Sequence, residues 1–228
     1  MTNFDNDQLA AMGRELFPAV VGDVLDTMGL HHQFLPPRFS PIQEDMTVIG
    51  RAMPVLEADT FTIASNPAAG AVMSQQFGLM FNALDDLKPQ EVYICTGSSP
   101  RYALWGELMS IRARQLGAAG AVLDGYSRDT TGIIETGFPV FSRGNYAQDQ
   151  GVRGKVIDFR TSIEIDGIQV NPGDIVFGDR DGVLIIPEQA EEEAFRRALE
   201  KVRGEHAVRD ALLAGMSATD AFRKFGIM

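Results

Sequence analysis

Cysteine, tryptophan, histidine and basic residues are all scarce in this 228-residue chain. A single cysteine, Cys95, leaves no partner for a disulfide framework and fits a reducing compartment. Twenty Lys and Arg against 31 Asp and Glu give a net charge of −11, which argues against a nucleic-acid surface, since binding phosphates takes a basic face. No run is apolar enough to cross a membrane. The longest uncharged stretch, Thr60 to Leu84, is broken by Asn66-Pro67, Ser74-Gln75-Gln76 and Asn82. The start, MTNFDNDQ, carries acids where a signal peptide carries positive charge, so a soluble cytoplasmic protein is expected. There is no Walker A sequence, no G-x-G-x-x-G and no G-x-S-x-G.

What is present reads as one domain of mixed α/β class. A helical region is expected over Asp7–Gly29, then a loop at Pro36-Pro37 and Pro41, a strand over Thr47–Ala58 and helical segments over about Ala68–Leu87. The β-rich run VYICTG (92–97) is followed by a helix expected from about Tyr102 to Leu116, stopped by Gly117. GAVLDG (120–125) is the next buried strand, which makes a parallel strand–helix–strand unit with a right-handed crossover. PVFSRG (139–144) and a β-rich stretch from Val156 to Pro187 follow, with turns at Asp166-Gly167 and Pro172-Gly173-Asp174. Pro187-Glu188 opens a last long helix reaching about Ala214, before Gly215 and a short helical tail.

In a parallel unit, strand ends and the starts of the following helices share one edge of the sheet, where α/β proteins bind ligands. Gly106-Glu107-Leu108-Met109 near the crossover helix and Arg128-Asp129 after the next strand should therefore converge there. Two carboxylates with water suit a hard cation such as Mg²⁺ or Mn²⁺. The amides of Leu108 and Met109 at a helix start suit a substrate carboxylate, and Arg128 suits a developing oxyanion. Together these fit a 2-oxo acid whose enolate must be stabilised. In the last helix Glu205 lies seven residues from both Ala198 and Leu212 on a partly apolar stripe, beside Gly204, which suggests close approach to something.

The motifs G-E-L-M (106–109), D-G-x-x-R-D (124–129), P-V-F (139–141) and V-x-P-G-D-I-V-x-G-D-x-D-G-V-L-I-I-P (170–187) resemble the RraA-like family, which includes the 4-hydroxy-4-methyl-2-oxoglutarate/4-carboxy-4-hydroxy-2-oxoadipate aldolases. The acid-x20-Arg-Asp pattern of those aldolases is met by Glu107 and Arg128-Asp129. The resemblance implies a layered αββ, swivelling-domain-like fold with N- and C-terminal helices. It runs from about Gly22 to Gly226, strongest between 103 and 187, and implies one domain over 1–228, with 188–228 forming a helical extension that contributes to oligomer contacts. It also implies that Asp129 is the direct metal ligand and that Arg128 contacts the 2-oxo group. Glu107 then holds metal-associated water or assists proton transfer, and Gly106, Leu108 and Met109 bind the pyruvyl carboxylate. Glu205 is the best match to a carboxylate that reaches a neighbouring subunit's site in a trimer or hexamer. The implied reaction is class II retro-aldol cleavage to pyruvate and a second oxo acid, with oxaloacetate decarboxylation through the same enolate.

Two alternatives stand beside it. A Schiff-base aldolase needs a desolvated lysine, and none of Lys88, Lys155, Lys201 and Lys224 reads as buried. A protein-binding regulator of an RNA-degrading endonuclease is the second, since the family contains such inhibitors. Among lesser signals, His31-His32 point apart on an extended loop, and Asp179-x-Asp181-Gly182 lacks the later ligands of a calcium loop and reads as a turn. Cys95 reads as a core thiol, and Trp105 either walls the pocket or packs. Loops 59–76 and 98–105 are expected to read the substituent on substrate C4.

Overall fold

The computed structural model describes residues 4–60 and 71–226. The chain opens with two helices, α1 (Asn6–Glu15) and α2 (Pro18–Thr27), rather than the single helical region expected. Asp5 and Gln8 close a capping box on α1, while Pro18 sits at the first position of α2, where its missing N–H costs nothing. Short β1 (Ser40–Pro41) and long β2 (Val48–Asp59) precede the small helices α3 (Ala71–Ser74) and α4 (Met80–Asp85). Residues 68–70 of the expected 68–87 helical segment and 61–70 of the 59–76 loop lie outside the described residues.

The crossover unit follows: β3 (Glu91–Thr96), β4 (Ala103–Trp105), α5 (Glu107–Gln115) and β5 (Gly120–Leu123). The helix thus starts at Glu107 and not at Tyr102, because residues 103–105 are spent on a strand. Gly117, at φ +78°, ends it as expected. Beyond lie β6 (Tyr126–Ser127), α6 (Thr130–Thr136), β7 (Val140–Ser142), β8 (Gly154–Phe159) and the hairpin of β9 (Ile163–Ile165) with β10 (Ile168–Val170). Strands β11 (Ile175–Asp179) and β12 (Gly182–Ile186), helix α7 (Glu191–Leu213) and helix α8 (Ala218–Phe225) complete the chain. The turn at Asp179-Arg180-Asp181-Gly182 joins β11 to β12, with Asp181 N donating to Asp179 Oδ1.

The main sheet runs β1-β7-β5-β3-β2-β11-β12, with β8 also on β2. β3 pairs in parallel with β2 and with β5, confirming the crossover. Side chains alternate across this sheet with period two. Tyr93, Cys95, Ala121 and Leu123 face α4, α5 and α6, and Ile175, Phe177, Leu184 and Ile186 face α1, α2 and α7. On the other face Val92, Ile94, Val122, Val176 and Ile185 pack against Ile163, Ile165, Ile168 and Val170 of the β9–β10 hairpin. Helices, sheet and hairpin make the expected αββ layering.

One buried ion pair ties the termini to the sheet. Glu191, 2% exposed at the start of α7, receives two guanidinium bonds from Arg51 on β2 and the amide of Phe4 at 3.1 Å. Arg51 also donates to the carbonyls of Phe4 at 3.0 Å and Gly173 at 3.1 Å. Glu191→Ala strands this guanidinium, and the expected loss is about 3 kcal/mol, or roughly 10 °C in Tm for a chain of this size. A melting curve that does not move would show that the pair contributes nothing.

Candidate active site

Strand β4 pairs in parallel with β6, Ala103 opposite Tyr126 and Trp105 opposite Ser127. Arg128 N donates to Trp105 O at 2.9 Å, so the residue after each strand is set beside the other. Gly106, the N-cap of α5, and Asp129, the N-cap of α6, meet at this point. A Cβ on Gly106 would stand 2.7 Å from Asp129 Oδ2, so any side chain there would displace the carboxylate from its present position.

Both helix starts are left uncapped by side chains. On α5 the first-turn amides have no intrahelical acceptor and Gly106 has no side chain to offer, so the N–H groups of Leu108 and Met109 remain open to an anion. On α6 an N-cap aspartate would ordinarily accept from its own helix. Asp129 does not; it adopts φ +58°, and its carboxylate turns toward Gly106 and Arg128. That left-handed backbone is uncommon outside glycine, though Asp tolerates it better than most.

Arg128 Nε lies 3.6 Å from Asp129 Oδ2 and its Nη1 lies 3.0 Å from Asp149 Oδ1. Glu107 rests on Gly132 in the first turn of α6, where an added Cβ would meet its carboxyl carbon at 2.4 Å. Gly106, Leu108, Met109, Arg128 and Asp129 therefore border one cleft, with Glu107 beside it. Among the described residues no three His, Cys, Asp or Glu side chains converge as a ready-made metal cage. Glu205 does not line this cleft. It sits on α7, 3.9 Å from Lys201, on a helix packed against α2.

Three residues at this site carry no motif. Asp149 and Gln150 reach the cleft through an isolated bridge of Asp149 to Ala103 and a bond from Ala103 N to Gln148 O. Behind them, Gln150 Nε2 donates to Glu57 Oε2 at 2.7 Å. Glu57 is 2% exposed, and burial pushes its carboxyl up to about 8, the bond from Gln150 only partly opposing this. The only available cue was an acid at an inward position of β2.

Lys155 is buried, contrary to expectation, because the segment around residues 75–78 covers it, and its ammonium meets the carbonyl of Gln75. It does not line the cleft. Cys95 is a core thiol whose burial raises its pKa, and Trp105 both packs, stacked on Phe138, and borders the cleft. His31 and His32 are exposed, with His31 3.6 Å from Asp26.

With this geometry in place, comparison with known proteins gives a family: the Aldolase/RraA model of RraA-like proteins matches residues 19–185. The chain belongs to the RraA-like family. Protein DlpA of Legionella pneumophila is 26% identical over 204 residues, 89% of this chain but 31% of that protein. An uncharacterized protein of Methanocaldococcus jannaschii is 32% identical over 118 residues, 52% of this chain and 56% of its own length. The chain thus spans about a third and just over half of these two relatives. A protein of Halalkalibacterium halodurans named "Putative 4-hydroxy-4-methyl-2-oxoglutarate aldolase" is 28% identical over 204 residues, covering 89% of this chain and 87% of the relative. Among solved structures, an uncharacterized protein from Pseudomonas syringae superposes with a TM-score of 0.84 at 24% identity, over 98% of this chain and 96% of that one. Streptomyces coelicolor RraAS2, described as an unusual member of the RNase ES inhibitor RraA family, gives 0.77 at 20%, over 90% and 98%. These two share the fold. Among the described residues no helix is long and apolar enough to cross a membrane.

The buried acid gives a stability test. Glu57 is neutral in the folded state below about pH 8 but ionised in the unfolded chain above its ordinary value. Its contribution is therefore fully present below that ordinary value and is lost as pH rises toward and through 8. The stability of Glu57→Gln relative to wild type should rise by a few kcal/mol between pH 5 and 9 in urea titrations. A constant difference across that range would mean that Glu57 is not held neutral.

Proposed function

We propose that this RraA-like protein is a divalent-metal-dependent class II aldolase that cleaves a 4-hydroxy-2-oxo acid to pyruvate and a second oxo compound, with oxaloacetate decarboxylation at the same site. The observation that carries this reading is the meeting of Arg128, Asp129 and the open amides of α5 around one cleft. The donor set fits Mg²⁺ or Mn²⁺: one uncapped carboxylate, Asp129, with open positions left for water and substrate oxygens. The ion, when bound, supplies Lewis acidity at the 2-oxo group.

The chain's own residues do the rest. The Leu108 and Met109 amides hold the C1 carboxylate at a helix N-terminus, and Gly106 keeps that approach clear. Arg128, steadied by Asp149, donates to the C2 oxygen as charge gathers on it. Glu107 takes the proton leaving the C4 hydroxyl, directly or through a water. The C3–C4 bond then breaks, its electron pair passes into the enolate, and the C4–O bond becomes a carbonyl. A proton delivered to C3 completes pyruvate. With oxaloacetate the same bond releases carbon dioxide.

Assembly belongs to the same reading. Glu205 lies away from its own chain's cleft, so a catalytic part for it requires a neighbouring subunit, in a trimer or hexamer. Leu213 and Phe222, 78% and 58% exposed at the end of α7 and on α8, support that helical end as a contact surface. Light scattering should give a mass of three or six times 24.9 kDa, and an active monomer would remove Glu205 from the mechanism.

Pyruvate release from oxaloacetate and from 4-carboxy-4-hydroxy-2-oxoadipate, with Mg²⁺, with Mn²⁺ and after EDTA, tests the activity. Metal-dependent turnover is expected, and Asp129→Ala and Arg128→Ala should each lose about 100-fold or more while remaining folded. Full activity in either variant would sink the mechanism built on these residues, and no turnover with any metal would sink the enzymatic reading and leave the protein-binding one.

A further inference from the structure

The cleft has two unlike ends. One carries the open amides, Arg128 and Asp129, and receives the pyruvyl half on the aldolase reading, on which this inference rests. The opposite wall is apolar, built from Phe77, Met80 and Phe81 at the entry to α4 and from Leu104 on β4. Phe77 and Phe81 meet edge to face with centroids 5.4 Å apart, and Phe81 is 58% exposed. Whatever extends from the pyruvyl group past C3 runs along this wall.

Charge decides what that extension is. Among the described residues Arg128 is the one cationic side chain lining the cleft, and its guanidinium already faces Asp149 at 3.0 Å and Asp129 at 3.6 Å. A second substrate carboxylate directed at the wall would lose water against aromatic rings, find no cation of its own among the described residues and lie near Asp149. Burying an unpaired charge is costly, whereas covering Phe77 and Phe81 with hydrocarbon is favourable.

We propose that the natural substrate is a 4-hydroxy-2-oxo monocarboxylate whose C4 substituent is an uncharged alkyl or aryl group seated on Phe77, Met80 and Phe81. Cleavage breaks C3–C4, the C4 hydroxyl loses its proton as its oxygen becomes a carbonyl, and C3 gains a proton. The products are pyruvate and an apolar aldehyde or ketone, with no oxidant or reductant consumed.

The experiment compares 4-hydroxy-2-oxohexanoate, with an ethyl group on C4, against 4-hydroxy-2-oxoglutarate, with a carboxylate there, at saturating Mg²⁺. Oxaloacetate decarboxylation is measured alongside. The ethyl compound should have a kcat/KM higher by about tenfold or more. Calorimetry with the unreactive 2-oxohexanoate and 2-oxoglutarate should show the same order of affinity, a readout independent of turnover. Phe81→Arg, at an exposed position, should move the specificity ratio toward the dicarboxylate, mainly through KM. Preference of wild type for 4-hydroxy-2-oxoglutarate, tighter binding of 2-oxoglutarate, or an unmoved ratio in folded Phe81→Arg would each overturn the inference. If the dicarboxylate alone is cleaved to pyruvate, this inference falls and the aldolase reading stands; if oxaloacetate alone releases pyruvate, this inference falls and only the decarboxylase part of that reading stands. If no compound releases pyruvate, both fall.

Discussion

The pairing of β4 with β6 is the constraint on which the site depends. Two short strands, outside the main sheet, bring residue 105 of one segment against residue 127 of the other. The bond from Arg128 N to Trp105 O fixes that register, and bonds from Ser127 N to Gly144 O and from Tyr146 N to Ser127 O hold β6 from its other side. With the backbone pinned on both edges, α5 and α6 begin side by side. Neither helix alone makes a site; their adjacent N-termini do.

Packing beneath this pairing makes it stiff. Trp105 is 1% exposed, its Nε1 donates to Ser110 Oγ at 2.7 Å one turn into α5, and its ring lies between Tyr93 and Phe138. The indole therefore locks the strand to the helix that follows it. A rigid frame is what permits the unfavourable local choices at Asp129, a left-handed backbone and an unmade cap, to persist. Glu57 is a similar choice deeper in: a buried carboxyl with Oε1 lacking a partner among the described residues, held in place by the amide of Gln150. Gln150 O accepts from Arg153 N and Gly154 N, so the turn that presents Asp149 to Arg128 is anchored at both ends.

Much of this was legible from sequence where a local rule governs. Gly117 and Gly215 stop helices because they adopt positive φ, and the β3–α5–β5 crossover follows from two apolar runs flanking a helix. The parallel crossover predicts that Gly106 and Arg128-Asp129 share one edge, while the β4–β6 pairing sets their contact. Where long-range contacts govern, the sequence is silent. Residues 103–105 read as the start of a helix, and their pairing with 126–127 takes them into a strand instead. Asp149 and Gln150 lie in an aperiodic segment whose place is set by bridges to Ala103. Lys155 reads as exposed in a charged context, yet the segment around residues 75–78 covers it.

The charge balance of the cleft explains why an ion is part of the proposed chemistry rather than an addition to it. Among the described residues Asp129 and Asp149 face a single guanidinium, so the bare cleft carries excess negative charge and repels the 2-oxo acid it is proposed to bind. The open amides of α5 offset only part of that, since a helix N-terminus amounts to about half a positive charge. On the proposed reading, a divalent cation held by Asp129 would reverse the sign locally while leaving Arg128 oriented by Asp149. Binding of ion and of substrate would then be coupled, since each would supply the charge that the other lacks.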